Sequence, residues 1–150
     1  TGSAYDAFKD MEGEGIDVEQ QATGVKVTLA ETLLFPTGIA EISSSGKTVI
    51  DQLASRLKER KSLHVVIAGH TDNVPISAGL AVKYPTNWEL SSARSINIIH
   101  HLVKQGVDQG RFESQAFSYT RPVASNDTAE GRAKNRRIEV FLTEDETPVM

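Results

Sequence analysis

The amino-acid sequence predicts an α/β (α+β) domain in which helices pack on one mixed sheet, and three observations carry that expectation. Val25, Val27 and Leu29 near one end, and Ile138, Val140 and Leu142 near the other, alternate with polar residues at the period of a half-buried strand. Between them, Leu63 to Ala68 is a nearly continuous apolar run rich in β-branched residues. Two further sets, Val49, Ile50, Leu53, Leu57 and Ala93, Ile96, Ile99, Val103, recur at three- and four-residue spacing, the mark of amphipathic helices. Strands that alternate with helices favour helices layered on a sheet over a bundle or a sandwich of sheets.

Taken in order, residues 4–11 read as a short helix that Gly13 and Gly15 interrupt, and the stretch to Gly24 alternates only weakly. Residues 1–24 are therefore expected to be a linker or an added N-terminal element. The strand at Val25–Leu29 follows. Ser43-Ser44-Ser45 offers a helix start, and that helix runs through Arg60. Leu63–Ala68 is expected to be a central strand covered on both faces. A long loop from Thr71 to Thr86 carries Pro75, Gly79 and Pro85. The second helix spans about Trp88 to Gln105, with Asn87 as its N-cap and Gly106 to end it. Phe112 to Tyr119 reads as a strand, Asn126-Asp127-Thr128 as a turn capping a short helix near 129–135, and Ile138–Leu142 as the last strand. The domain body is then 25–143, with an acidic tail at 144–150.

The 150 residues, 39% of them hydrophobic, suffice for one packed core. The longest uninterrupted apolar stretch, Val65-Val66-Ile67-Ala68, is far short of the roughly 20 residues that cross a bilayer. No basic-then-apolar leader is present, so any export signal or anchor is expected outside these residues. The absence of cysteine excludes disulfides and thiolate metal sites. The net charge of −4 is concentrated early, where Asp6, Asp10, Glu12, Glu14, Asp17 and Glu19 face only Lys9. The one dense basic cluster, Arg132, Lys134, Arg136 and Arg137, is narrower than a phosphate-tracking surface, so no nucleic-acid partner is expected.

Gly69-His70-Thr71-Asp72-Asn73 falls where the apolar strand ends and the long loop begins, the position that ligand sites in open α/β sheets favour. His70 and Asp72 are two metal-ligand types, but a catalytic zinc site needs three protein ligands, and no spacing supplies the third. No metal and no cofactor are expected. Asp and Asn at such a junction also serve to tie up backbone amides. Arg94, on the second turn of the second helix, presents a planar fork that fits a carboxylate, while Asp72 suits an ammonium. Together they would read a zwitterion; alternatively they pair with each other. Hydrolysis finds no support in a nucleophile elbow or an activated serine. His64, His100 and His101 read as ordinary residues, the last two pointing about 100° apart on one helix.

Three spaced motifs in order, Gly69-His70-Thr71-Asp72, Asn87-x-x-Leu90-Ser91-x-x-Arg94 and Asn126-x-Thr128-x-x-Gly131-Arg132-x-x-Asn135-Arg136-Arg137, closely resemble the OmpA-like peptidoglycan-binding domain. The likeness runs from about Val27 to Thr143 and includes Leu34-Phe35-Pro36-Thr37-Gly38-Ile39-Ala40-Glu41-Ile42. The resemblance implies a βαβαβ sandwich that binds, without cleaving, the diaminopimelate-containing stem peptide of the cell wall. It implies a ligand-binding set of Thr71, Asp72, Asn87, Leu90, Arg94 and Arg137, with Asp72 taking the ligand's ammonium and Arg94 its carboxylate. One departure stands out: Ala116-Phe117-Ser118 replaces the usual glycine-aromatic-glycine.

Within that family, Asp72-Asn73-Val74-Pro75-Ile76 and Tyr84-Pro85-Thr86-Asn87-Trp88-Glu89-Leu90-Ser91 look most like flagellar stator B subunits of the MotB and PomB kind. That likeness implies a periplasmic, dimeric domain whose full-length protein is held in the inner membrane by an N-terminal helix and partnered by an ion-conducting A subunit of the MotA or PomA kind. The alternative is the wall anchor of another envelope machine, such as a type VI secretion system or an outer-membrane protein.

Overall fold

Strand alternation is expressed as a sheet with one apolar face in the computed structural model, which describes residues 3–144. Strand β2 (Gly24–Ala30) runs antiparallel to β5 (Arg137–Glu144), with Val25, Val27 and Leu29 opposite Leu142, Val140 and Ile138. This register puts all six side chains on one face, and a one-residue slip would expose them. Strand β3 (Leu63–His70) pairs antiparallel with β5 and parallel with β4 (Phe112–Ala116). With β1 (Ile16–Gln21) on β2, the order is β1-β2-β5-β3-β4, a five-stranded mixed sheet.

Helices α3 (Ser44–Glu59) and α4 (Asn87–Lys104) cover the apolar face, and Ile50, Leu53, Leu57, Ile98 and Leu102 meet Val27, Leu29, Val65 and Ile67 in one core. Each such side chain stabilises the fold by about 1.5–3 kcal/mol relative to exposure. Ser43 caps α3 through its hydroxyl, as the serine run predicts.

Three expectations are corrected, and one further element escapes the periodicity. The strand β3 is covered on one face only over its first half: Leu63, Val65 and Ile67 are buried while His64 and Val66 are not fully so. Its apolar run reflects β propensity and its inner position, not a second helical layer. The N-cap of α4 is Thr86, whose hydroxyl and Glu89 form a reciprocal capping box, so Asn87 is the first helical residue. The buried stripe of α4 is also rotated: Leu90, Ser91, Arg94, Ser95, Ile98 and Leu102 face inward, whereas Ile96 is 41% exposed. Three polar residues on the buried face displaced the periodicity. They are tolerated because β3 and α4 approach closely: Ser95 Oγ donates to the Ile67 carbonyl at 2.8 Å, and a Cβ on Gly69 would fall 2.3 Å from the Ser91 carbonyl oxygen. Finally, a one-turn helix, α2 (Glu31–Leu34), follows β2 directly and is too short to show a period.

Residues 3–21 fold onto the body. Ser3 caps α1 (Ala4–Phe8), a 3₁₀ turn spans Lys9–Met11, and β1 forms the sheet edge. Phe8 is wholly buried, and only Val18 is buried in β1, which is why the alternation there is faint. Of the stretch expected as an acidic tail, Glu144 ends β5, and 145–150 lie outside the described residues.

Candidate functional site

The site grows from the C-terminal end of β3 and the N-terminal end of α4. Beyond His70 the chain turns, and the turn is locked by its own side chains. The Thr71 N–H donates to the Ser118 carbonyl at 2.8 Å, the Thr71 hydroxyl to the Asp72 carbonyl at 2.9 Å, and the Val74 N–H to Asp72 Oδ1 at 3.0 Å. From the first turn of α4, Asn87 Nδ2 donates to the Val74 carbonyl at 3.0 Å. Asp72, Thr71 and Asn87 are buried at this junction.

Two helical turns beyond Asn87, Arg94 is 3% exposed. Its Nη1 contacts Glu31 Oε2 at 2.6 Å, its Nε donates to the Ile39 carbonyl at 3.0 Å, and the guanidinium lies 4.8 Å from the Phe35 ring centre. Glu31 also accepts from Arg136 Nε at 3.1 Å, and Arg136 Nη1 reaches Asp72 Oδ2 at 2.6 Å. The result is an unbroken row of alternating charge, Arg94–Glu31–Arg136–Asp72. Asp72 and Arg94 therefore do not pair with each other; two other residues separate them. Burial works against the charge of Arg136, but its hydrogen bond to Asp72 and the neighbouring Glu31 and Asp72 carboxylates outweigh that and raise its pKa above the ordinary value. Arg94 Nη2 is buried with no hydrogen-bond partner among the described residues, which marks it as a donor open to a further acceptor.

Thr71, Asp72, Asn87, Leu90 and Arg94 line one cavity of about 400 Å³, walled also by Arg132, Val74, Ile76 and Leu80. Arg137 does not belong to it. Strand alternation sends Ile138 into the core and Arg137 to the opposite face of the sheet. There its Nε donates to Glu139 at 2.8 Å, Nη1 to the Asn135 carbonyl at 3.1 Å and Nη2 to the Arg121 carbonyl at 3.0 Å. Of the two consecutive arginines, the one that joins Arg94 and Arg132 at the cavity is Arg136, one position before the strand settles into its alternation.

His70 also faces away from the cavity. It stacks on Phe117 with ring centres 5.1 Å apart, and its Nε2 lies 3.3 Å from Glu139 Oε1. Burial alone would raise the Glu139 carboxyl, but the contacts with His70 and Arg137 override it and bring its pKa down to about 2. Among the described residues, no three His, Asp or Glu side chains gather where one metal ion would reach them.

The third motif builds the support for Arg136. Thr128 caps α5 (Ala129–Asn135), and a Cβ on Gly131 would fall 1.8 Å from the Ser125 carbonyl oxygen. Fully buried Asn135 holds the preceding loop by accepting from the Val123 and Ala124 N–H groups and donating to the Ala124 carbonyl and Asn126 Oδ1. At the departure from the glycine-aromatic-glycine pattern, Ser118 keeps a left-handed φ of 54° and its N–H donates to Ser91 Oγ at 3.2 Å. For a residue with a Cβ that conformation costs about 1–2 kcal/mol.

Sequence reasoning missed Glu31, and it passed over Arg132 and Arg136 in favour of Arg137. The available signal for Glu31 was its place immediately after the alternating strand, where an acid at a strand end is a site candidate.

Comparison with known proteins agrees with this architecture. The OmpA family profile matches residues 34–136. Motility protein B of Bacillus subtilis (strain 168) is 31% identical over 128 residues, covering 85% of this chain and 48% of that protein. The chain thus spans about half the length of the curated relatives it matches. Among solved structures, a putative MotB-like protein from Desulfovibrio vulgaris superposes with a TM-score of 0.85 at 26% identity, covering 94% of this chain and 89% of that one. The cell wall anchor of the type VI secretion system of Pseudomonas aeruginosa gives 0.84 at 32% identity, covering 94% and 96%.

Proposed function

The chain belongs to the OmpA family, and from that premise we propose that it is a non-enzymatic anchor whose cavity holds the diaminopimelate-containing stem peptide of peptidoglycan. One observation carries the reading: a single cavity is lined both by the Asp72 carboxylate and by Arg94, whose buried Nη2 has no hydrogen-bond partner among the described residues. An ammonium beside Asp72 and a carboxylate on Arg94 would each gain a charge-assisted contact of about 1.5–3 kcal/mol. The remaining side chains hold and orient: Thr71 and Asn87 fix the Asp72 turn, Leu90 supplies apolar wall, and Glu31 holds both arginines.

The similarity to motility protein B and to a MotB-like structure supports placing this anchor in a flagellar stator. In that setting the domain is periplasmic and dimeric, and the full-length protein is fixed in the inner membrane and partnered by an ion-conducting A subunit. The near-equal superposition on a type VI secretion wall anchor supports a second setting with the same binding chemistry.

The test is sedimentation of the pure domain with sacculi. With diaminopimelate-containing walls it is expected to co-sediment and release no soluble muropeptides; with lysine-containing walls it is expected to stay largely in solution. Equal binding to both walls, or release of muropeptides that tracks the protein, would overturn the reading.

A further inference from the structure

The cavity carries an unbalanced charge. It is lined by two carboxylates, Glu31 and Asp72, and by three guanidiniums, those of Arg94, Arg132 and Arg136. The row Arg94–Glu31–Arg136–Asp72 is neutral as a unit, with each carboxylate contacting a guanidinium at 2.6 Å. The surplus positive charge is therefore that of Arg132, which stands outside the row. Its Nη1 donates to the Asn126 carbonyl at 2.9 Å, and among the described residues no carboxylate pairs with it. A guanidinium has five N–H donors and does not shed its proton. One bond to a backbone carbonyl leaves the rest of that fork open to a ligand.

An ammonium on Asp72 and a carboxylate on Arg94 bring no net charge, so a simple zwitterion would leave the Arg132 surplus as it was. Val74, Ile76, Leu80 and Leu90 wall the same space, and apolar walls strengthen an electrostatic attraction across it. A ligand with two carboxylates for one ammonium balances the cavity better. The stem peptide is such a ligand: its γ-linked D-glutamate has a free α-carboxylate, and diaminopimelate has a second carboxylate of its own. We propose that Arg132 is a specificity-determining residue that takes this further carboxylate, so that the cavity reads two acids and one amine. The assignment rests on the peptide reading of the cavity and names the form of peptide that fits it, the free acid in preference to its amide.

The local structure holds Arg132 ready for that role. Thr128 caps α5 just before it, and Gly131 packs so closely that a Cβ there would fall 1.8 Å from the Ser125 carbonyl oxygen. Asn135, one turn later, ties down the same loop through the Val123 N–H and the Ala124 carbonyl. The side chain thus rises from backbone that is fixed before any ligand arrives, which lowers the ordering cost of binding.

Calorimetry with three synthetic peptides tests the proposal: the L-alanyl-γ-D-glutamyl-diaminopimelate tripeptide, the same peptide with D-isoglutamine in place of D-glutamate, and the same peptide with its C-terminal carboxylate as the amide. At least one of the two amides is expected to bind about tenfold more weakly than the free acid, which identifies the carboxylate concerned. Arg132→Gln is expected to bind the free acid about tenfold more weakly and to lose that distinction. The distinction is a ratio of affinities within one protein, so a partial loss of folded material does not move it, and the comparison in the unaltered protein needs no variant. Equal affinities for all three peptides overturn the role of Arg132 and leave the peptide reading standing. So does a distinction that Arg132→Gln preserves, which would assign the carboxylate to another residue. Binding of none of the three sinks the peptide reading and this assignment with it.

Discussion

Arg136 Nη1 stands 2.6 Å from Asp72 Oδ2, so the carboxylate assigned to a ligand ammonium already faces a resident cation. A ligand must share Asp72 with that guanidinium or displace it. Arg136 also adds positive charge where a ligand carboxylate would settle. Both effects favour a zwitterion over a simple amine.

Arg136→Gln is accordingly expected to shift the preference between diaminopimelate and lysine tripeptides about tenfold toward lysine. Calorimetry with the two peptides reads the ratio directly. A ratio unchanged by the substitution would refute competition by Arg136.

Arg94 calls for a pair of variants, because its burial changes what alanine would report. Removing one partner of a buried ion pair costs about 3–5 kcal/mol, although Glu31 retains Arg136 and the lower end applies. Arg94→Ala is thus expected to weaken both folding and binding. Arg94→Lys keeps a cation for Glu31 but has no second Nη to offer. It is expected to lose ten- to a hundredfold in sacculus binding, with a thermal melt much closer to that of the unaltered protein. Equal loss of binding and stability in the lysine variant would make Arg94 a structural residue.

The depressed carboxyl of Glu139 sets an acid limit on stability. Its pKa falls from 4.5 to about 2 on folding, so the native state is favoured above about pH 4.5, and that contribution drains away as the pH drops toward 2. Urea unfolding between pH 6 and 2.5 is expected to show the decline, and Glu139→Gln to flatten it while lowering stability at neutral pH. Parallel curves for the two proteins would show that other carboxyls govern acid unfolding.

Much of this was legible in the sequence, for identifiable physical reasons. Val25, Val27 and Leu29 announce β2 because one face of the sheet meets the core and the other meets water. Ser43 announces α3 because an N-cap needs an oxygen acceptor. Asp72 and Arg94 stood out as opposite charges near a strand end and a helix start. What escaped reading was fixed by packing. The inward face of α4 is half polar, so its apolar residues point to the wrong stripe. Glu31 lies 63 residues from Arg94 and 105 from Arg136 along the chain, and no local pattern joins them. Arg136 and Arg137 differ only in which side of the sheet they face, a matter of where β5 begins.

The packing of α1 has a mechanical meaning. A pull applied at Ser3 does not reach the cavity first. It loads the short helix Ala4–Phe8, which is held by the buried ring of Phe8 and by Arg56 Nε on the Ala7 carbonyl at 3.1 Å. Next in line is β1, paired to β2 along its whole length. Five helical residues hold fewer cooperative contacts than a register of paired strands, so the helix is expected to yield first. About 1 nm of slack is released as those five residues lengthen from about 1.5 to about 3.5 Å each, while β3 and α4, which frame Asp72 and Arg94, remain at rest.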